Sequence, residues 1–97
     1  MALYAPQGAI ASGPDPVAGR ALLETLCSRC HAIDATGESP NADAPPFRVV
    51  ANRWPPESIG EALAEGVVVG HNEMPEFVLT PSDINDVIAY LETLAYD

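Results

Sequence analysis

The chain contains no lysine: all four of its basic residues are arginines (Arg20, Arg29, Arg48, Arg53), set against fourteen acidic ones for a formal net charge of −10. A net charge of that sign argues against nucleic acid and anionic membrane as partners, because phosphate contacts need a positive face. It suits solubility and a partner with a basic docking surface. Aromatic residues are also few, at 6% of 97 residues. A chain of this length is one domain, and apolar burial only just offsets conformational entropy at such a size. No apolar run reaches membrane-spanning length. Residues 1–14, "MALYAPQGAIASGP", lack the basic and continuously apolar regions of a signal peptide. They read as a flexible arm left after removal of a natural signal, with the domain proper over 15–97. Cysteine is limited to two residues, which is not a secreted disulfide scaffold.

What is present is helical. "DPVAGRALLETLC" offers Asp15 as N-cap and Pro16 at the first helical position. Gly19, Leu23, Leu26, Cys27 and Cys30 then share a face at spacings of three and four. Glycine inside a helix costs about 1 kcal/mol relative to alanine, so Gly19 predicts another element crossing close by. A second, short helix is expected from Pro56 to a stop at Gly66. A third runs through "TPSDINDVIAYLETLA", with Thr80 and Asp83 as a capping-box variant and Ile84, Val87, Ile88, Leu91 and Ala95 as its buried stripe. Residues 32–53 and 66–79 are rich in proline and glycine and predict irregular segments that wrap something. Val67 to Val69 alternatively reads as a short buried strand.

Both cysteines fall within five residues, "CSRCH", at 27–31. Cysteines at i and i+3 on a helix present their sulfurs on one side, matching two vinyl groups on one haem edge. A histidine directly after the second places its imidazole beneath the ring centre. The spacing C-x-x-C-H is the attachment signature of haem c. A thioredoxin-like redox pair would need a strand–helix junction that this pattern lacks. A zinc site built from Cys27, Cys30, His31 and His71 would need adjacent Cys30 and His31 to converge on one tetrahedral ion. A disulfide would leave the histidine unexplained. With porphyrin and His31 taking five iron positions, Met74 in "NEMPEF" is the candidate for the sixth, its backbone held extended by Pro75. His71 is the competing ligand.

The chain resembles small bacterial class I cytochromes c from about Asp15 to Leu94, on "GRALLETLCSRCH", "APPF", "MPEF" and "VIAYLETL" in that order. The resemblance implies an all-α cytochrome c fold whose N- and C-terminal helices cross while loops enclose one covalent haem. It supplies a reason for Gly19 and Leu23, which would pack on Val87, Tyr90 and Leu91. It implies a proline carbonyl bonded to the free nitrogen of His31; "APPF" makes Pro45 the candidate and leaves Pro46 open, since Ala44 replaces the family's usual glycine. Trp54 resembles a buried tryptophan that donates to a haem propionate, with Arg48 or Arg53 adding charge; it reads equally as ordinary core.

The expected function follows: a soluble, monomeric one-electron carrier with His31/Met74 ligation and no open iron position for substrate chemistry. Haem attachment in this family implies a periplasmic location. Two other roles are compatible with the sequence: the dedicated electron acceptor of one periplasmic dehydrogenase, and a ligand-binding or peroxidatic haem protein in which Met74 is not bound.

Overall fold

The computed structural model describes residues 13–65 and 79–95. The expectations for most of the arm, for a strand at 67–69, and for His71 and Met74 lie outside those residues. Among the described residues the chain is all-α, with four helices: α1 (Pro16–Leu26), α2 (Phe47–Arg53), α3 (Pro56–Glu65) and α4 (Pro81–Leu94). None is long and apolar enough to cross a membrane.

The helix starts follow local chemistry. The Asp15 side chain accepts from the Val17 amide at 2.9 Å, and Pro16 costs nothing where its missing N–H would have no helical partner. At α4, Thr80 accepts from the Asp83 amide at 3.0 Å and Asp83 reciprocates to the Thr80 amide at 3.3 Å, a complete capping box. Such pairs satisfy donors that every helix N-terminus leaves without partners.

Helices α1 and α4 pack most closely, and Gly19 lies at their contact. A Cβ there would sit 2.0 Å from the carbonyl oxygen of Asp86 and 2.9 Å from the Val87 nitrogen. The Asp86 carboxylate also accepts from the Asp15 amide at 2.8 Å, stapling the start of α1 to α4. Around this contact Leu23, Ile33, Ala51, Val87, Tyr90, Leu91 and Leu94 form one buried cluster. The expected stripe of α4 is therefore present, widened by Tyr90 and Leu94. Its Ile88 instead meets α3, where it lies against Gly60.

Two expectations are corrected. The helix carrying the first cysteine does not continue through the second: α1 ends at Leu26, and residues 27–30 form a turn. The Ser28 hydroxyl donates to the Glu24 carbonyl at 2.5 Å, satisfying one of the acceptors that a helix C-terminus leaves open. Nor is 32–53 wholly irregular, because its last seven residues form α2. That helix has no side-chain cap. It is held from outside instead, by the Asn52 side-chain Nδ2 donating to the Leu94 carbonyl at 3.0 Å and by Phe47 packing on the core.

Candidate functional site

The turn after α1 brings the motif residues together without a helix. The Cys27 carbonyl accepts from the Cys30 amide at 3.1 Å and from the His31 amide at 2.9 Å. Both cysteines are half-buried free thiols within that turn. Burial, with a smaller contribution from Cys30, pushes the Cys27 thiol up to about 11. Among the described residues no three His, Cys, Asp or Glu side chains are grouped to hold a metal ion.

The following loop folds back over the motif. The Asn41 amide donates to the Cys30 carbonyl at 3.1 Å, the Ala32 amide to the Ser39 hydroxyl at 2.9 Å, and the Phe47 amide to the Ala32 carbonyl at 2.9 Å. Gly37, with φ of +100°, makes the reversal in a backbone region that side-chain-bearing residues avoid. The loop thereby delivers the Pro45 carbonyl to 2.7 Å from Nδ1 of His31, while Pro46 precedes α2 as its N-cap. A carbonyl can only accept, so Nδ1 must carry the proton. In the neutral ring Nε2 then keeps its lone pair, the form in which an imidazole binds a metal. His31 is also 92% removed from solvent, being 8% exposed.

His31 and Cys27 both line a cavity of about 610 Å³, within the usual range of roughly 300–1,000 Å³ for ligand sites. Its walls are apolar: Leu22 and Leu26 from α1, Val50 from α2, Ile59 and Leu63 from α3, Val87 and Leu91 from α4. Arg53 and Trp54 stand on the same wall, with the guanidinium carbon 5.4 Å from the indole centroid, within cation–π range. Trp54 is 47% exposed, so it is not part of the helix core. Arg48 turns elsewhere and donates to the Asp34 carbonyl at 3.5 Å. A large flat apolar group, tethered at one edge by sulfur and bound axially by nitrogen, fits these surroundings. Cys27, Cys30 and His31 would hold it. Of the expected site residues, Cys27, His31, Pro45 and Trp54 line the cavity, while Cys30 lies in the same turn as Cys27 but not on the cavity wall. Met74 lies outside the described residues.

Two features have no signal in the sequence. The Phe47 ring stacks on His31 with centroids 4.6 Å apart and planes 19° from parallel. Asp34, three residues after the histidine, ties the site to the helix pair. It accepts two bonds from Arg20, at 2.9 and 3.0 Å, and one from the Tyr90 hydroxyl at 3.2 Å. The same hydroxyl is 2.7 Å from the Ile33 carbonyl. Arginine and tyrosine come from α1 and α4, so their convergence on Asp34 exists only in the fold.

The Arg20 hydrogen bonds hold the Asp34 carboxyl below its ordinary value of 3.8. A carboxyl with a depressed folded value adds stability that is complete above the unfolded value and lost as acid protonates the folded state. Asp34→Asn should therefore be less stable than the parent at neutral pH, with the gap closing as pH falls below about 3.8. Urea midpoints measured across that range check it. Because the carboxylate is half exposed, solvent screening keeps the gap modest.

The family model described as Cytochrome c matches residues 16–95. The chain is also 35% identical over 77 residues to the cytochrome c-552 of Bradyrhizobium diazoefficiens, covering 78% of this chain and 71% of that relative.

Proposed function

Because this chain belongs to the cytochrome c family, whose members carry electrons on a covalently bound haem c, we propose that it is a soluble one-electron carrier with His31 and Met74 as the axial ligands. The observation that carries this reading is the state of His31. It is buried at the wall of an apolar cavity beside Cys27, with Nδ1 committed to the Pro45 carbonyl. When bound, the haem supplies the ferric/ferrous couple. The rest is done by the chain. Pro45 orients the imidazole and, by drawing on its N–H, makes Nε2 a stronger donor. The leucines and valines exclude water, so a change of charge inside the cavity is set by fixed dipoles rather than by solvent. Arg53 and Trp54, adjacent on the cavity wall, would be the residues to offset the acidic propionates.

Two ligands from the chain leave no coordination position for substrate, and outer-sphere electron transfer is what remains. Cofactor attachment in this family takes place outside the bacterial cytoplasm, which makes the periplasm the working compartment. The net charge of −10 favours redox partners with a basic docking face, and their encounter rates should fall steeply with salt.

Replacing Met74 with alanine tests the ligand set. The variant should keep its haem, lose the near-infrared sulfur-to-iron charge-transfer band, fall in potential and bind carbon monoxide readily. An unchanged potential would remove Met74 from the site.

A further inference from the structure

We propose that Phe47 is a positioning residue that fixes the plane of the His31 imidazole. The inference rests on the reading of His31 as iron ligand. A hydrogen bond from Nδ1 to one carbonyl sets a direction but tolerates wide rotation of the ring, because acceptor geometry at a carbonyl oxygen is broad. The terminal torsion of a histidine side chain is equally permissive. The Pro45 contact at 2.7 Å therefore leaves the imidazole plane undetermined. The Phe47 ring removes that freedom. Stacked at 4.6 Å and 19°, it would be struck by an imidazole edge if the plane turned far.

Phe47 can act as a stop only if it is itself held, and it is. Its amide donates to the Ala32 carbonyl at 2.9 Å, it opens α2 directly after Pro46, and its side chain packs on the buried cluster. Pro45 and Phe47 thus approach one histidine from a single short stretch of backbone, one fixing direction and the other plane. The plane has a chemical consequence. The imidazole π orbital stands perpendicular to the ring, so its orientation selects which iron d orbital it overlaps. In low-spin ferric iron this sets the splitting of those orbitals, visible in the spread of electron paramagnetic g values and in the paramagnetic shifts of the haem methyls.

The experiment uses the ferric and ferrous holoprotein with Phe47→Leu and Phe47→Tyr. In the ferrous parent, proton NMR should show cross-peaks between the Phe47 and His31 rings. In the ferric state, Phe47→Leu should keep its haem yet change the g spread and the pattern of haem-methyl shifts, and Phe47→Tyr should restore the parent pattern. A leucine variant with the parent's pattern would overturn the proposal. So would absence of the ring–ring cross-peaks, which decides the matter even where the leucine variant fails to accumulate. Failure of the ligand reading looks different. The His31 ring protons of the ferrous parent would then lack the large upfield shift of a porphyrin-bound imidazole, before any substitution is made.

Discussion

Gly19→Ala should destabilise the holoprotein by roughly 3 kcal/mol or more. The sign is the opposite of what helix propensity alone dictates. Alanine is favoured over glycine inside a helix by about 1 kcal/mol, so an exposed glycine at this position would gain from the change. Here the added carbon would lie 2.0 Å from the Asp86 carbonyl oxygen and 2.5 Å from its carbon. Those are backbone atoms in the interior of α4, and no rotamer change relieves them. The helices must separate, which loosens the packing of Leu23 on Val87 and Leu91. Separation also pulls Tyr90 from the Ile33 carbonyl and Asp86 from the Asp15 amide. Gly60→Ala provides the comparison. Its Cβ would meet Ile88 Cδ1 at 2.5 Å, Ile88 Cγ1 at 2.9 Å and Ile84 Cγ2 at 3.2 Å, side-chain atoms that can give by a rotamer change or a small shift, whereas Gly19 meets backbone. The Gly60 variant should therefore lose much less, about 1 kcal/mol. Urea midpoints at unchanged m value separate the two. Equal losses, or a stabilised Gly19 variant, would mean that the helices do not meet at Gly19.

How much of this was readable in the sequence depends on the range of the interactions involved. Helix α4 was legible throughout because its determinants are local. Thr80 and Asp83 are three residues apart, and its buried stripe recurs every three or four. The start of α1 was legible for the same reason. Its end was not, because the apolar spacing runs on to Cys30 while the chain leaves the helix after Leu26 and turns at 27–30. Helix α2 was missed because little in its seven residues favours a helix by itself. Val49 and Val50 are β-branched, Pro46 offers no side-chain cap, and a helix this short stands mainly by tertiary contacts. Those contacts come from Ala32 and Leu94, which no local pattern links to it. The site divides along the same line. The Cys27–Cys30–His31 spacing is a local motif, and the fold of this family gave Pro45 and Trp54 as candidates by resemblance. Phe47 on His31 and Asp34 between Arg20 and Tyr90 were invisible, the latter joining residues 56 apart. Trp54 also shows the limit of residue type as a guide. A lone tryptophan in an aromatic-poor chain invites a core assignment, yet it stands half-exposed on the cavity wall.

Replacing both Cys27 and Cys30 with serine should abolish cooperative folding along with haem attachment. The described core is thin, and the residues that face the cavity are the same ones that hold the helices together. Leu23, Val87 and Leu91 belong both to the buried cluster and to the cavity wall. Filled by a covalently held group, that wall is buried on two sides. Deprived of it, about 610 Å³ of apolar space must be left empty, admit water or collapse. Empty core volume costs about 24 cal/mol per Å³, so leaving even half of that space unfilled would cost on the order of 7 kcal/mol. That is comparable with the whole net stability of a small domain, roughly 5–15 kcal/mol. Collapse is opposed by the backbone contact at Gly19, where α1 and α4 already touch. The remaining aromatic residues are too few to refill the space. Serine at both positions changes little else, because neither thiol is disulfide-bonded. The double variant should therefore be colourless, show little helical circular dichroism and melt without a sigmoidal transition. A colourless variant with full helicity and a sharp transition would show that the polypeptide packs its own interior, and that the cavity is a binding site on a self-sufficient fold. The single variants refine the result. Either remaining sulfur can still tether the group, and His31 is still held by Pro45. Each should stay coloured and folded, with a midpoint between those of the parent and the double variant.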